Sequence, residues 1–177
     1  MSILDSSVEK TSLITKSTVS IKVDSGSIEK ILVLVDGTEI SFRAASYAVN
    51  LARLVNAELV PINIIEDVKQ GGAIGLLAKY GKMSIVKAFK MARKHLAEGW
   101  LKDIENEGST LGVKVKSVIL AADGRNEKKM LSEYAMKNNI DLIVIGSKEG
   151  SRYLGLGISG FTKSILHHST KPVLVVH

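Results

Sequence analysis

Five short apolar runs rich in β-branched residues, at 31–35, 58–65, 113–121, 141–145 and 172–176, alternate with segments long enough to be helices. A strand that reads as a continuous apolar run is one buried on both faces, and a helix between successive strands brings the second in parallel to the first. The alternation predicts an α/β fold: a three-layer α/β/α sandwich around a five-stranded parallel sheet. Ala45, Ala48, Val49, Ala52 and Val55 put small residues on one face of a helix at 39–56, which lets that helix lie close on a sheet. A longer helix at 83–105 carries the stripe Ile85, Phe89, Ala92, Leu96 and Trp100, expected to cover the sheet, and a third runs through Met130, Leu131, Tyr134 and Ala135. Residues 1–28 are rich in Ser, Thr and isolated charges, and only Val19, Ile21 and Val23 alternate as a strand would. They are expected to form a flexible N-terminal extension to one domain at 29–177.

The fourth run ends at Gly146-Ser147. From there to Ser159 the chain holds Lys148, Ser151 and Arg152, no Asp, and a series of glycines continued by Gly160. A glycine-rich loop that enters a helix N-terminus cradles anions, phosphate foremost, on free backbone N–H groups. Two familiar versions of such a loop do not apply. The G-x-G-x-x-G at 155–160 has no strand directly before it and too little chain after it for the acidic residue that the dinucleotide fingerprint places about 20 positions on. A P-loop needs its lysine directly after the last glycine, and here Phe161 and Thr162 intervene before Lys163.

In an open parallel sheet, ligands bind beyond the carboxyl ends of the strands, where the strand order reverses. With the order 3-2-1-4-5 that point lies between the first and fourth strands. Asp36-Gly37-Thr38 then meets Gly146-Ser147 across one crevice. Asp36 there is suited both to N-cap the helix at 39–56 and to accept hydrogen bonds from a ligand.

With 177 residues, a single domain of this kind buries roughly 70% of its unfolded surface. The absence of cysteine removes disulfides, thiolate nucleophiles and sulfur-ligated metals, and His95, His167, His168 and His177 lack metal-ligand spacing. No apolar run approaches a membrane span and the N-terminus lacks a secretory pattern, so a cytoplasmic protein is expected. The net charge of +6 traces to 69–97, where Lys69, Lys79, Lys82, Lys87, Lys90, Arg93 and Lys94 stand without one acid. A solvated helix face explains them; binding to a membrane surface is not expected, nor is nucleic acid, for which aromatics are few and no motif is present. His167 and His168 fall in the last turn of the final helix, where protonated imidazoles favour the dipole.

The run Val35-Asp36-Gly37-Thr38-Glu39-Ile40-Ser41, a second strand ending before Glu66, an inserted helix, Gly124 near the end of the third strand, and the closing Gly146-Ser147 and Lys171-Pro172-Val173-Leu174-Val175-Val176 together resemble the universal stress protein family over about 30–176. The resemblance implies the adenine nucleotide alpha hydrolase-like fold, strand order 3-2-1-4-5, and ATP or AMP as ligand, with Mg2+ as its companion ion. It also implies a homodimer paired through the C-terminal strand. Nucleotide-binding members carry Gly-x2-Gly-x9-Gly-Ser/Thr; counted from Gly146, those positions fall here on Glu149, Ser159 and Gly160. A carboxylate at Glu149 would repel phosphate, whereas Gly150 lies one residue on and Ser159-Gly160 is the expected pair reversed. The family positions for base and ribose contacts fall on Asp36 and Ile64. The candidate ligand set is therefore Asp36, Ile64, Gly146, Ser147, Gly150, Ser159, Gly160 and Thr162, with no catalytic residue and no metal ligand. A nucleotide-binding sensor or regulator in the stress response is the first functional expectation, and a nucleotide-free dimeric scaffold acting through protein contacts is the alternative. Enzymes of related fold would want an S-G-G-x-D-S-like loop after the first strand, and no base–nucleophile pair is visible.

Overall fold

The computed structural model describes residues 26–65, 80, 83–122, 126–147 and 160–177. Among these residues five strands alternate with four helices: β1 (Lys30–Leu34), α1 (Glu39–Val55), β2 (Glu58–Ile65), α2 (Met83–Thr110), β3 (Val118–Ala121), α3 (Glu127–Lys137), β4 (Leu142–Gly146), α4 (Gly160–His168) and β5 (Val173–Val176). The sheet is wholly parallel in the order 3-2-1-4-5, as the alternation and the resemblance led us to expect. Ile31 to Val33 in β1 and Ile143 to Ile145 in β4 are buried on both faces, which is why these strands read as unbroken apolar runs.

Each face of the sheet carries its own layer. Val33 and Val144 meet the small-residue face of α1 (Ala44, Ala45, Ala48, Ala52), and Leu101 and Ile104 of α2 join the same cluster. On the opposite face Leu32, Ile62 and Ile143 meet Met130, Leu131 and Ala135 of α3 and Ile165 of α4. Val55, expected on the buried face of α1, is exposed in its last turn.

The long helix departs from expectation in two respects. It continues past 105 to Thr110, through polar turns that carry no apolar periodicity to announce them. More importantly, Ile85, Phe89 and Leu96 are exposed, at 44%, 39% and 55%. The buried residues are Val86, Ala97, Leu101 and Ile104. Val86, Ala97 and Leu101 each lie one position on from a member of the expected stripe, a rotation of about 100° about the helix axis. Only Trp100 of that stripe packs against the core, half-buried. The third strand is also shorter than the run at 113–121: Val115 meets Leu59 in one isolated bridge before regular pairing begins at Val118. Ile28 packs against the core, and Glu29 N–H donates to Asp141 Oδ2 at 3.0 Å. The alternating stretch Val19 to Val23, the basic residues Lys69, Lys79 and Lys82, and Gly124 lie outside the described residues.

Candidate functional site

The turn after β1 is built to hold Asp36 still. Thr38, not Asp36, is the N-cap of α1: its side chain accepts from Ser41 N–H at 3.3 Å. Asp36 instead braces that cap, its Oδ1 accepting from Thr38 N–H at 3.0 Å and from the Thr38 hydroxyl at 2.6 Å. Partial burial works to raise the Asp36 pKa, but the Thr38 and Ser41 hydrogen bonds together hold the carboxyl below its usual 3.8, so it is ionised at neutral pH. Gly37 between them has φ +82°, and the space a Cβ would fill is taken by the Trp100 ring, which also stands edge-on to Phe42 at 6.2 Å between centroids. Through this contact α2 clamps the turn from above.

Gly146 closes the end of β4 for a packing reason. A Cβ there would stand 2.7 Å from the Ile40 carbonyl oxygen in the first turn of α1, so a bare backbone is what lets β4 and α1 meet. Beside it, Ser147 N–H donates to Val176 O at 2.8 Å, tying the strand end to β5, and the Ser147 side chain is buried.

These ends enclose a crevice of about 190 Å³ at the carboxyl edge of the sheet. β1 and its turn contribute Leu34, Val35 and Asp36; β2 contributes Asn63 and Ile64; β4 contributes Gly146. Glu127 from α3 and Phe161 and Thr162 from α4 complete the wall. The structure thus brings four of the expected site residues, Asp36, Ile64, Gly146 and Thr162, into one cavity at the strand-order reversal. Ser147 and Gly160 are not among its lining residues, and Gly150 and Ser159 lie outside the described residues, as does Glu149. Sequence reasoning missed Asn63, Glu127 and Phe161. Asn63 had a signal: it is a lone amide in an otherwise apolar strand end, Pro61-Ile62-Asn63-Ile64-Ile65.

The charge of the described wall is telling. It carries two carboxylates, Asp36 and Glu127, and no Lys or Arg. Such a surface accepts hydrogen bonds from hydroxyls and amines and repels anions. α4 begins at Gly160 beside this wall, and a helix N-terminus offers backbone N–H groups suited to an anion. A larger cavity, about 470 Å³, lies between α3 and α4, lined among others by Lys129, Ser132, Met136, Ser164 and His168. None of its lining residues belongs to a strand, so volume alone does not select the site.

The universal stress protein family model matches residues 27–177. The chain belongs to the universal stress protein family. Universal stress protein MJ0531 of Methanocaldococcus jannaschii is 29% identical over 155 residues, covering 84% of this chain and 81% of that one. Among solved structures, universal stress protein UspA from Lactobacillus plantarum superposes with TM-score 0.71 at 21% identity, over 86% of this chain and 99% of its own. A universal stress protein from Archaeoglobus fulgidus, solved in complex with dAMP, gives 0.58 at 15% identity, over 86% of this chain and all (100%) of its own. At these identities the structural matches establish the fold. Among the described residues of this universal stress protein, no group of three or more His, Asp or Glu could hold a metal, and no helix is long and apolar enough to cross a membrane.

Proposed function

We propose that this universal stress protein binds an adenine nucleotide, AMP or ATP, in the crevice between β1 and β4, and acts in the cytoplasm as a non-catalytic regulator in the stress response. The observation that carries the proposal is the convergence of Asp36, Ile64, Gly146 and Thr162 on one cavity at the strand-order reversal. The described wall, with two carboxylates and no Lys or Arg, suits the nucleoside: Asp36, ionised and held by Thr38, accepts from ribose hydroxyls, while Ile64 and Phe161 supply apolar surface for the base. The phosphates then point toward the start of α4, with Ser147, Gly150, Ser159, Gly160 and Thr162 as their candidate contacts. The dAMP complex of the Archaeoglobus fulgidus relative, which shares this fold, supports a ligand of that class.

Mg2+ enters the proposal only with ATP. Without a carboxylate cluster of its own among the described residues, the ion would be held through phosphate oxygens and at most one or two protein ligands. Two such chains pair as a homodimer through β5, which lies at the sheet edge with β4 as its one neighbour.

The test is mass spectrometry of small molecules released from protein purified without added nucleotide. AMP or ATP in stoichiometric amount is the expected result. Its absence, together with no binding of added nucleotide, would leave the nucleotide-free dimeric scaffold as the function of this fold.

A further inference from the structure

β2 does something at its end that a regular parallel strand does not. In a parallel sheet, alternate residues of an inner strand turn their peptide groups to one neighbour and then the other. Here Val35 N–H donates to Ile62 O at 2.9 Å and Ala122 N–H donates to Ile65 O at 3.0 Å, so Ile62 serves β1 and Ile65 serves β3. By that alternation Ile64 turns its N–H and C=O toward β1. The next rung of the ladder would run from Ile64 N–H to Val35 O.

That rung is taken by a side chain. Val35 O accepts from Asn63 Nδ2 at 2.7 Å, and among the described residues no backbone bond joins Ile64 N–H to Val35 O. The acceptor is a carbonyl, which fixes the amide with its nitrogen toward Val35. Asn63 is 7% exposed and lines the crevice together with Val35 and Ile64. A buried amide in an apolar strand is costly unless its bonds are used, and this one is spent on satisfying a carbonyl that the ladder would otherwise satisfy itself.

We infer that Asn63 is a positioning residue for the nucleoside: by drawing Val35 O to its own amide, out of line with the Ile64 N–H, it ends the β1–β2 ladder at the Leu34–Ile62 pair and keeps the Ile64 N–H free for the ligand. The inference rests on the nucleotide reading of the crevice. An N–H facing β1 at this depth meets an acceptor on a planar base edge, and the adjacent carbonyl of Ile64 meets a donor, so the ligand class is a base that offers both on one edge, as adenine does. Asn63 does not touch the base in this account; it determines which backbone groups the base meets.

Hydrogen exchange of individual amides by NMR, with calorimetry of AMP, tests this. In wild-type protein free of nucleotide, the Ile64 amide should exchange at least about tenfold faster than that of Ile62, which faces the same strand, and should slow when AMP is added. In Asn63→Ala, Val35 O is released to the ladder, so the Ile64 amide should slow without any ligand while AMP affinity falls about tenfold, the factor one hydrogen bond is worth. An Ile64 amide as slow as that of Ile62 in ligand-free wild type overturns the inference without need of any variant. So does an Asn63→Ala protein that leaves both exchange and affinity unchanged. If wild type binds no AMP while the exchange pattern follows the expectation, the nucleotide reading falls and takes with it the role given to Asn63, though not the strand-end geometry.

Discussion

At Asp36, two donors from Thr38 converge on one carboxylate oxygen, Oδ1, and the residue lines the crevice. Asp36→Ala removes both the brace of the α1 cap and the ligand acceptor. The expected cost is about 1 kcal/mol of stability, a Tm loss of roughly 2–4 °C for a chain of this size, together with weakened nucleotide binding. Thermal unfolding separates the first effect from calorimetry of the second. Gly146 behaves differently. Even a methyl group there meets the Ile40 carbonyl, so Gly146→Ala should cost about 1–3 kcal/mol in urea unfolding whether or not nucleotide is present. The sequence reading assigned this glycine to phosphate approach. The contact with α1 gives it a structural duty that spacing along the chain cannot reveal, because Ile40 and Gly146 are brought together only by the β1–β4 pairing.

At the scale of elements, α2 shows where periodicity fails. Ile85, Phe89, Leu96 and Trp100 obey helical spacing as well as Val86, Ala97, Leu101 and Ile104 do, and three members of the second set lie one position on from three of the first. Only the docking of α2 on β2 and β3 chooses between them. Leu101→Ala should therefore cost about 2–5 kcal/mol, whereas Leu96→Lys should fall within about 0.5 kcal/mol of wild type, as judged by chemical denaturation. Had the sequence-derived stripe been the core face, the order of the two effects would be reversed. The strands themselves were legible because parallel strands buried on both faces write their burial directly as apolar runs. The polar turn that extends α2 to Thr110 and the single-bridge approach of Val115 were not, since neither carries an apolar pattern. The start of β2 adds a pH dependence. Lys114 bonds Glu58 at 2.7 Å and holds its carboxyl below the usual 4.5. A carboxyl with a lowered native pKa stabilises the fold fully above its unfolded value and loses that contribution as pH falls through the native one. Urea midpoints should thus drop below about pH 4.5, and Glu58→Gln should flatten that slope while costing at most about 1 kcal/mol near neutrality, as befits a pair with one exposed partner.

At the scale of the whole molecule, β5 is an edge strand of the sheet among the described residues, with Leu174 38% exposed, whereas Val176 is buried in the core. Leu174→Lys alone is accordingly the variant that probes pairing, since a lysine at Val176 would damage the fold as well. Wild type should sediment as a dimer and Leu174→Lys as a monomer with unchanged circular dichroism; a wild-type monomer at micromolar concentration would remove the dimer from the account. The position of the crevice follows from topology: once five parallel strands are placed in the order 3-2-1-4-5, the ends of β1 and β4 diverge and leave a cavity whatever the side chains. Asp36 and Gly146 could be placed there from the sequence for that reason, whereas Ile64 followed from the family resemblance and Thr162 from the loop that precedes the last helix. Asn63 could not, because its part depends on a hydrogen bond between neighbouring strand ends. The central claim is that the cavity accepts adenine nucleotide, and titration of AMP into the purified, nucleotide-stripped protein by isothermal calorimetry tests it most directly. The account predicts saturable binding at one site per chain in wild type, weakened in Asp36→Ala. The absence of any saturable heat with wild type, for AMP and for ATP with Mg2+ alike, would contradict it.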